Sequence, residues 1–116
     1  MTGGRMRRVD EAVREVLSGA ITQELKDPRV GFVTVTAVET SPDLRHARVF
    51  VSVLGDDAQR GRSMDGLRAA RGFLQRRIAA ELRIKHTPAI DFLYDDSLDR
   101  SLRIQSLLER ERGETT

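Results

Sequence analysis

The stretch from Leu67 to Lys85, LRAARGFLQRRIAAELRIK, constrains the fold more than any other part of the chain. Leu74, Ile78 and Leu82 recur at i, i+4 and i+8 with Phe73 beside them, which is the buried stripe of an amphipathic helix. Ala70-Arg71-Gly72 interrupts the run near its start. Glycine tolerates backbone angles that other residues resist, so Gly72 is expected to let the chain change direction after Ala70. At about 100° per residue, Arg76 and Arg83 fall on the side opposite the stripe, flanked by Ala79 and Ala80, with Arg68 one kink upstream. That side should be basic and nearly flat.

Six cations, Arg68, Arg71, Arg76, Arg77, Arg83 and Lys85, meet a single acid, Glu81, across this segment. Alanines between arginines let a polyanion backbone come close, so the pattern points to a phosphate-binding face. A merely solvated helix face is the competing reading, because charge runs on helices are commonly solvated and arginine outnumbers lysine eighteen to two in the whole chain.

The 116 residues hold one domain, enough for a self-sufficient core. Without cysteine there is neither a disulfide framework nor a thiolate metal site. No leading apolar stretch suggests a signal peptide or a membrane span, so a cytoplasmic protein is expected. The net charge of +2 is weak evidence for nucleic acid, but its distribution says more. Residues 1–94 hold 16 Lys and Arg against 12 Asp and Glu, whereas residues 95–116 hold 4 against 6. The excess concentrates at Arg5, Arg7 and Arg8 and in the central run.

Residues 1–6 read as a flexible, positively charged start, residues 7–108 as the domain and residues 109–116 as a fraying tail. From Arg8 to Leu25, Val9, Ala12, Val13, Val16, Leu17, Ala20 and Ile21 keep the helical period, and Pro28 closes the helix. Val30 to Val38 reads as a strand, Ser41-Pro42-Asp43 as a type I turn, and Leu44 to Leu54 as a second strand with Ala47, Val49, Val51 and Val53 on its core face. Residues 57–66 are ambiguous: Asp57 or Ser63 suits a cap, but Gly61 and Gly66 each cost about 1 kcal/mol inside a helix, so a weak first turn is expected. Ala89 to Tyr94 alternates as a third strand. A last helix carrying Leu98, Leu102, Ile104, Leu107 and Leu108 follows, capped by Asp95, Asp96 and Asp99, and is expected to lie across the sheet over Phe50.

The order helix, strand, strand, kinked helix, strand, helix makes an α+β domain with a small three-stranded sheet covered by helices. It resembles a KH domain of the second topological type, with Ala70-Arg71-Gly72 standing where ordinary KH domains carry the Gly-x-x-Gly loop that clamps nucleic acid. One family in particular is similar: ribosome-binding factor A. The matching strings are Arg8-Val9 and the helix to Leu25, Asp27-Pro28-Arg29, Val38 through Val51, Ala70 through Phe73, and Asp91 through Leu98. Each is short, and their joint order and spacing carry the resemblance.

The resemblance implies a non-enzymatic, cofactor-free bacterial factor that binds the small ribosomal subunit and its ribosomal RNA late in maturation, takes part in processing the 5′ end of that RNA and supports growth in the cold. It also implies an Ala-x-Gly kink at Ala70 and Gly72 and an RNA-binding helix carrying Arg76, Arg77, Arg83 and Lys85, to which Arg71 at the kink's middle position adds a cation. Many members carry a longer C-terminal tail, so here the body's basic surface is left to bind. Nothing in the sequence demands a dimer, and a monomer is expected.

Two other classes remain open on the residues alone. A metal-dependent RNA-processing nuclease would need clustered carboxylates, and Asp56-Asp57 and Asp95-Asp96 are pairs, but both sit at element ends where turns and capping account for them. His46 and His86 lie far apart without carboxylate or cysteine spacing, so no metal site is expected. A protein-interaction module would turn the same arginines toward an acidic partner.

Overall fold

The computed structural model describes residues 3–84, 86–97 and 104–110, with side chains from residue 6 onward. The elements run α1 (Gly3–Gly19), one π turn (Ala20–Glu24), β1 (Val33–Thr40), β2 (His46–Val53), α2 (Asp57–Ala69), α3 (Arg71–Glu81) and β3 (Ala89–Tyr94), followed by a helical segment α4 at residues 104–110. The strands form one sheet in the order β1-β2-β3, with β1 antiparallel and β3 parallel to β2. A parallel neighbour is out of reach of a tight turn, and α2 and α3 together supply the crossover. The element order and the sheet are those of the α+β, KH-like domain expected from the sequence.

The core lies between the sheet and α1, α2 and α3. Ala47, Val49, Val51 and Val53 of β2 are buried on one face, joined by Val35 and Val38 of β1 and by Ile90 and Phe92 of β3. Val13 and Leu17 of α1, Met64 and Leu67 of α2, and Leu74 and Ile78 of α3 close over them. Thr36 is the extra residue of a bulge between Val35 and Ala37, so Val35 and Val38 both face inward although three positions apart. On the other face Thr34, Glu39, Arg48 and Asp91 are exposed, with Phe50 and Leu93 half-buried.

Several boundaries differ from the sequence reading. α1 begins at Gly3, upstream of the start expected near Arg8. It ends in a π turn closed by the bond from Leu25 N–H to Ala20 O at 2.9 Å. Val30 is not strand: Asp27-Pro28-Arg29 forms a corner, and Val30 docks on α2. The Asp27 carboxylate accepts the Arg29 amide at 2.9 Å and the Arg29 guanidinium at 2.7 Å. These bonds hold its pKa down at about 2. On α2, Ser63 is buried, and its hydroxyl accepts from Gly31 N–H at 3.1 Å and donates to Arg29 O at 3.3 Å.

α2 has a firm start where a weak one was expected. Asp56 caps it, accepting from Gln59 N–H at 2.8 Å while the Gln59 side chain accepts from Asp56 N–H at 2.8 Å, a complete capping box. Gly66 does not loosen the helix. A Cβ there would stand 2.6 Å from Val30 Cγ2, so the missing side chain is what lets the corner reach the helix.

The last helix departs from expectation too. Ile104, Leu107 and Leu108 are 59%, 52% and 50% exposed, so α4 does not bury Leu107 against Phe50. Leu98, Asp99 and Leu102 lie outside the described residues, as do Lys85 and residues 111–116. The Asp95 carboxylate accepts from Ser97 N–H at 2.9 Å and from the Thr36 hydroxyl at 2.6 Å, tying the end of β3 to the bulge of β1.

Candidate nucleic-acid interface

Ala70 is the joint between α2 and α3. Its φ and ψ of −87° and 4° leave the helical range, its N–H reaches back to Gly66 O and Leu67 O at 3.0 and 3.1 Å, and its carbonyl accepts from Leu74 N–H at 3.0 Å. One half-buried residue thus ends one helix and opens the next. Gly72 has no positive φ, which among the described residues occurs only at Leu44 and Gly55. The change of direction therefore does not use Gly72's backbone freedom, and what Gly72 contributes is a bare surface.

Leu74 and Ile78 point α3 into the core as the period requires, with Phe73 half-buried beside them and Leu82, just past the end of the helix, half-buried too. The opposite side exposes Gly72, Arg76, Ala79 and Ala80. These four lie within about 100° of one another at about 100° per residue. A Cβ on Gly72 would come 3.4 Å from Arg76 Nη1, so the Arg76 guanidinium lies back toward the bare turn. Small neighbours leave this cation and the helix backbone open to a bulky anion.

The arginines singled out in the sequence divide by what holds them. Arg7, Arg8, Arg71, Arg76 and Arg83 are exposed, without an ion pair or side-chain hydrogen bond among the described residues. Arg77 is committed: Nε meets Glu24 Oε2 at 3.1 Å and Nη2 meets Glu81 Oε1 at 2.8 Å, bracing α3 against the π turn. Glu15 and Gln23 line the same groove, so that flank of α3 is acidic on balance. Arg68 extends Nη2 to Phe92 O at 3.4 Å, over the free edge of β3. Arg83 does not share a helical face with Arg76, because α3 stops at Glu81. Leu82 is extended (φ −111°, ψ 128°), and Arg83 stands exposed between half-buried Leu82 and Ile84. The side chain of Arg5 and all of Lys85 lie outside the described residues.

Two polar side chains passed over in the sequence help to shape this region. Gln75, four residues after Arg71, accepts from Ile90 N–H at 3.1 Å and so closes a backbone donor on the edge of β3. Arg60 stacks over Tyr94, its guanidinium carbon 4.4 Å from the ring centroid. The carboxylates weighed for a metal serve locally: Asp56 caps α2, Asp57 pairs with Arg60 at 3.4 Å, and Asp95 bridges Thr36 and Ser97. Among the described residues no three His, Asp or Glu side chains gather in a metal-holding group, and no helix is long and apolar enough to cross a membrane.

A sequence model described as ribosome-binding factor A matches residues 5–108. Ribosome-binding factor A of Halothermothrix orenii is 46% identical over 110 residues, covering 95% of this chain and 90% of the relative. That of Anaeromyxobacter sp. strain Fw109-5 is 47% identical over 112 residues, covering 96% and 92%. The solution structure of a ribosome-binding factor A homologue from Thermotoga maritima superposes with a TM-score of 0.72 at 35% identity, covering 81% of this chain and 90% of that one. A Thermus thermophilus ribosome-binding factor A, fitted as a homology model into a cryo-EM map of its complex with the 30S subunit, superposes at 0.61 with 26% identity, covering 75% and 91%.

Proposed function

The chain belongs to the ribosome-binding factor A family, and from that premise we propose that it binds the small ribosomal subunit during late maturation and does so by holding ribosomal RNA on the outer face of α3. The observation that carries the reading is Arg76 on a strip otherwise made of Gly72, Ala79 and Ala80, with Arg71 at the joint, none of these cations neutralised within the described residues. Guanidinium groups pair bidentately with phosphate oxygens and stack on exposed bases. A strip of this kind recognises folded RNA by shape and charge and needs no catalytic group. Arg7 and Arg8 on α1, Arg68 at the β3 edge and Arg83 after α3 widen the field. Arg77 contributes to the scaffold rather than to contact.

The family relationship supports the ribosomal target, and a relative has been placed in a complex with the 30S subunit. Occupancy is the mechanism that suits a binding face without chemistry. The protein holds one arrangement of the maturing RNA near its 5′ end, delays use of the particle and leaves when mature contacts compete it away. That requires only tighter binding to the immature arrangement. The experiment is cosedimentation with immature and mature small subunits across a salt series. With about five phosphates neutralised, log affinity should fall against log salt with a slope of about −3.5 to −4.5. Preferential, salt-sensitive binding to immature particles, lost in folded Arg76→Glu/Arg83→Glu, is expected. Binding indifferent to salt, or none to either particle, would replace this reading with that of a protein-partner module, and equal affinity for both particles would sink the occupancy mechanism.

A further inference from the structure

We propose that the open concavity at the start of β3, bounded by Arg45, Gln75, His86, Thr87 and Ala89, is a site for one unpaired RNA nucleotide whose base edge meets the Gln75 amide and whose phosphate meets Arg45. This rests on the RNA-binding reading and adds to it an element of base selectivity. The concavity is shallow and open to solvent, offers about 320 Å³, and none of its five lining residues is acidic. That volume lies within the range of small-ligand sites. Gln75 follows Arg71 by one helical turn on α3, so a strand of RNA lying on the basic strip passes its mouth.

The chemistry of Gln75 is fixed by its partner. Alternate amides of β3 turn inward to β2, as Ala89 N–H does to Arg45 O at 2.8 Å, which sends Ile90 N–H to the free edge. There it donates to Gln75 Oε1 at 3.1 Å. A backbone N–H can only donate, so one lone pair of the amide oxygen is taken while both N–H donors of the NH₂ remain, which biases Gln75 toward donating to a ligand. A donor-biased amide favours the carbonyl-rich edge of uracil or the O6/N7 edge of guanine. It suits adenine less well, because bidentate pairing of adenine with an amide also draws on the oxygen already engaged by Ile90 N–H.

Arg45 is presented by a turn wired for rigidity. Its N–H donates to Asp43 Oδ1 at 3.0 Å and its carbonyl holds Ala89 N–H, so both main-chain groups are fixed. The preceding Leu44 stands at φ 61°, a left-handed angle that costs energy for a branched side chain, and the Ser41–His46 hydrogen bonds around it maintain that angle. The exposed guanidinium that follows has no ion pair among the described residues. Exposed His86 offers a ring on which a base can stack.

The test is fluorescence anisotropy with labelled single-stranded U6 and A6 RNA, run on the wild type, Gln75→Glu, Arg45→Ala and Arg76→Glu, with thermal melts to certify folding. Gln75→Glu keeps the acceptor for Ile90 N–H and removes the donors, so the U6-to-A6 ratio is the informative readout. The wild type is expected to prefer U6 about tenfold, Gln75→Glu to bring the ratio close to one, and Arg45→Ala to weaken both RNAs about fivefold. A wild type that treats U6 and A6 alike overturns the proposal. So does a pair of pocket variants that bind like the wild type while Arg76→Glu weakens binding, an outcome that leaves the RNA-binding reading standing. Failure of the wild type to bind either RNA or small subunits would sink both.

Discussion

Gly66 and Gly72 stand six residues apart on either side of the joint at Ala70, and their missing side chains do opposite work. On α2 the gap at Gly66 is filled by Val30, whose Cγ2 would lie 2.6 Å from an added Cβ, and Ser63 one turn earlier stitches the same corner by two hydrogen bonds. On α3 the gap at Gly72 is filled by nothing closer than its own helix neighbour Arg76, at 3.4 Å. One half of the bent helix has spent its surface on the fold, and the other leaves its surface exposed and bare. The arginines sort the same way: Arg77 is tied to two glutamates, and Arg76 beside it is tied to none.

The largest expected effect separates the two glycines. Gly66→Leu forces the Asp27–Val30 corner off α2 and should cost about 3 kcal/mol. That is a drop of about 10 °C in melting temperature. Gly72→Ala meets no backbone obstacle and gains helix propensity, so it should stabilise by about 0.5–1 kcal/mol. The same substitution should weaken RNA binding, because its Cβ crowds the Arg76 guanidinium. Thermal melts and RNA titrations on both variants read this out, and a Gly72→Ala protein with full affinity would remove the bare turn from the interface.

A smaller effect separates neighbouring arginines. Arg76→Ala should lose about tenfold in RNA affinity, the worth of one charge-assisted contact, and flatten the salt dependence by about 0.7. Arg77→Ala should keep its affinity within about twofold and lose at most about 1 kcal/mol of stability, the range of partly exposed ion pairs. Equal loss of affinity in the two variants would mean that Arg77 leaves Glu24 and Glu81 to meet the ligand.

What the sequence could tell of this division follows from how local each interaction is. The buried periods of α1 and α3, the alternation of β2, the bounds of β3, the Ser41-Pro42 turn and the joint at Ala70 are written within a few residues, and they were legible, as was the exposed Arg76-Ala79-Ala80 strip. The firm start of α2 was missed: Asp57 or Ser63 was expected as the cap where Asp56 serves with Gln59, and Gly66 read as a weakness until Val30, 36 residues upstream, is seen to occupy the space, while Gly61 faces open space. Arg77 looked like one more free cation because its partner Glu24 lies 53 residues away. Arg83 was aligned with Arg76 by a helical period that α3 abandons at Leu82, with no proline or glycine there to announce it. Gln75 and Arg45 gave no signal at all, since their meaning depends on where β3 places Ile90 and Ala89.

The smallest expected effect belongs wholly to the committed half. Asp27 has a pKa of about 2, below the ordinary value of 3.8, because it accepts the guanidinium and the backbone N–H of Arg29. A carboxyl depressed in the folded state contributes stability that is fully present above its ordinary pKa and is lost as pH falls through the folded value. In Asp27→Asn the side-chain oxygen still accepts from Arg29 N–H but the charge is gone, so the variant should be somewhat less stable than the wild type above pH 4 and converge on it toward pH 2. Urea denaturation at several pH values between 2 and 6 measures that difference. RNA affinity at neutral pH should not move, because the corner faces α2 and not the strip. If affinity falls while the acid-range difference is missing, Asp27-Pro28-Arg29 belongs with the interface, and the boundary between spent and unspent surface must be redrawn through α2.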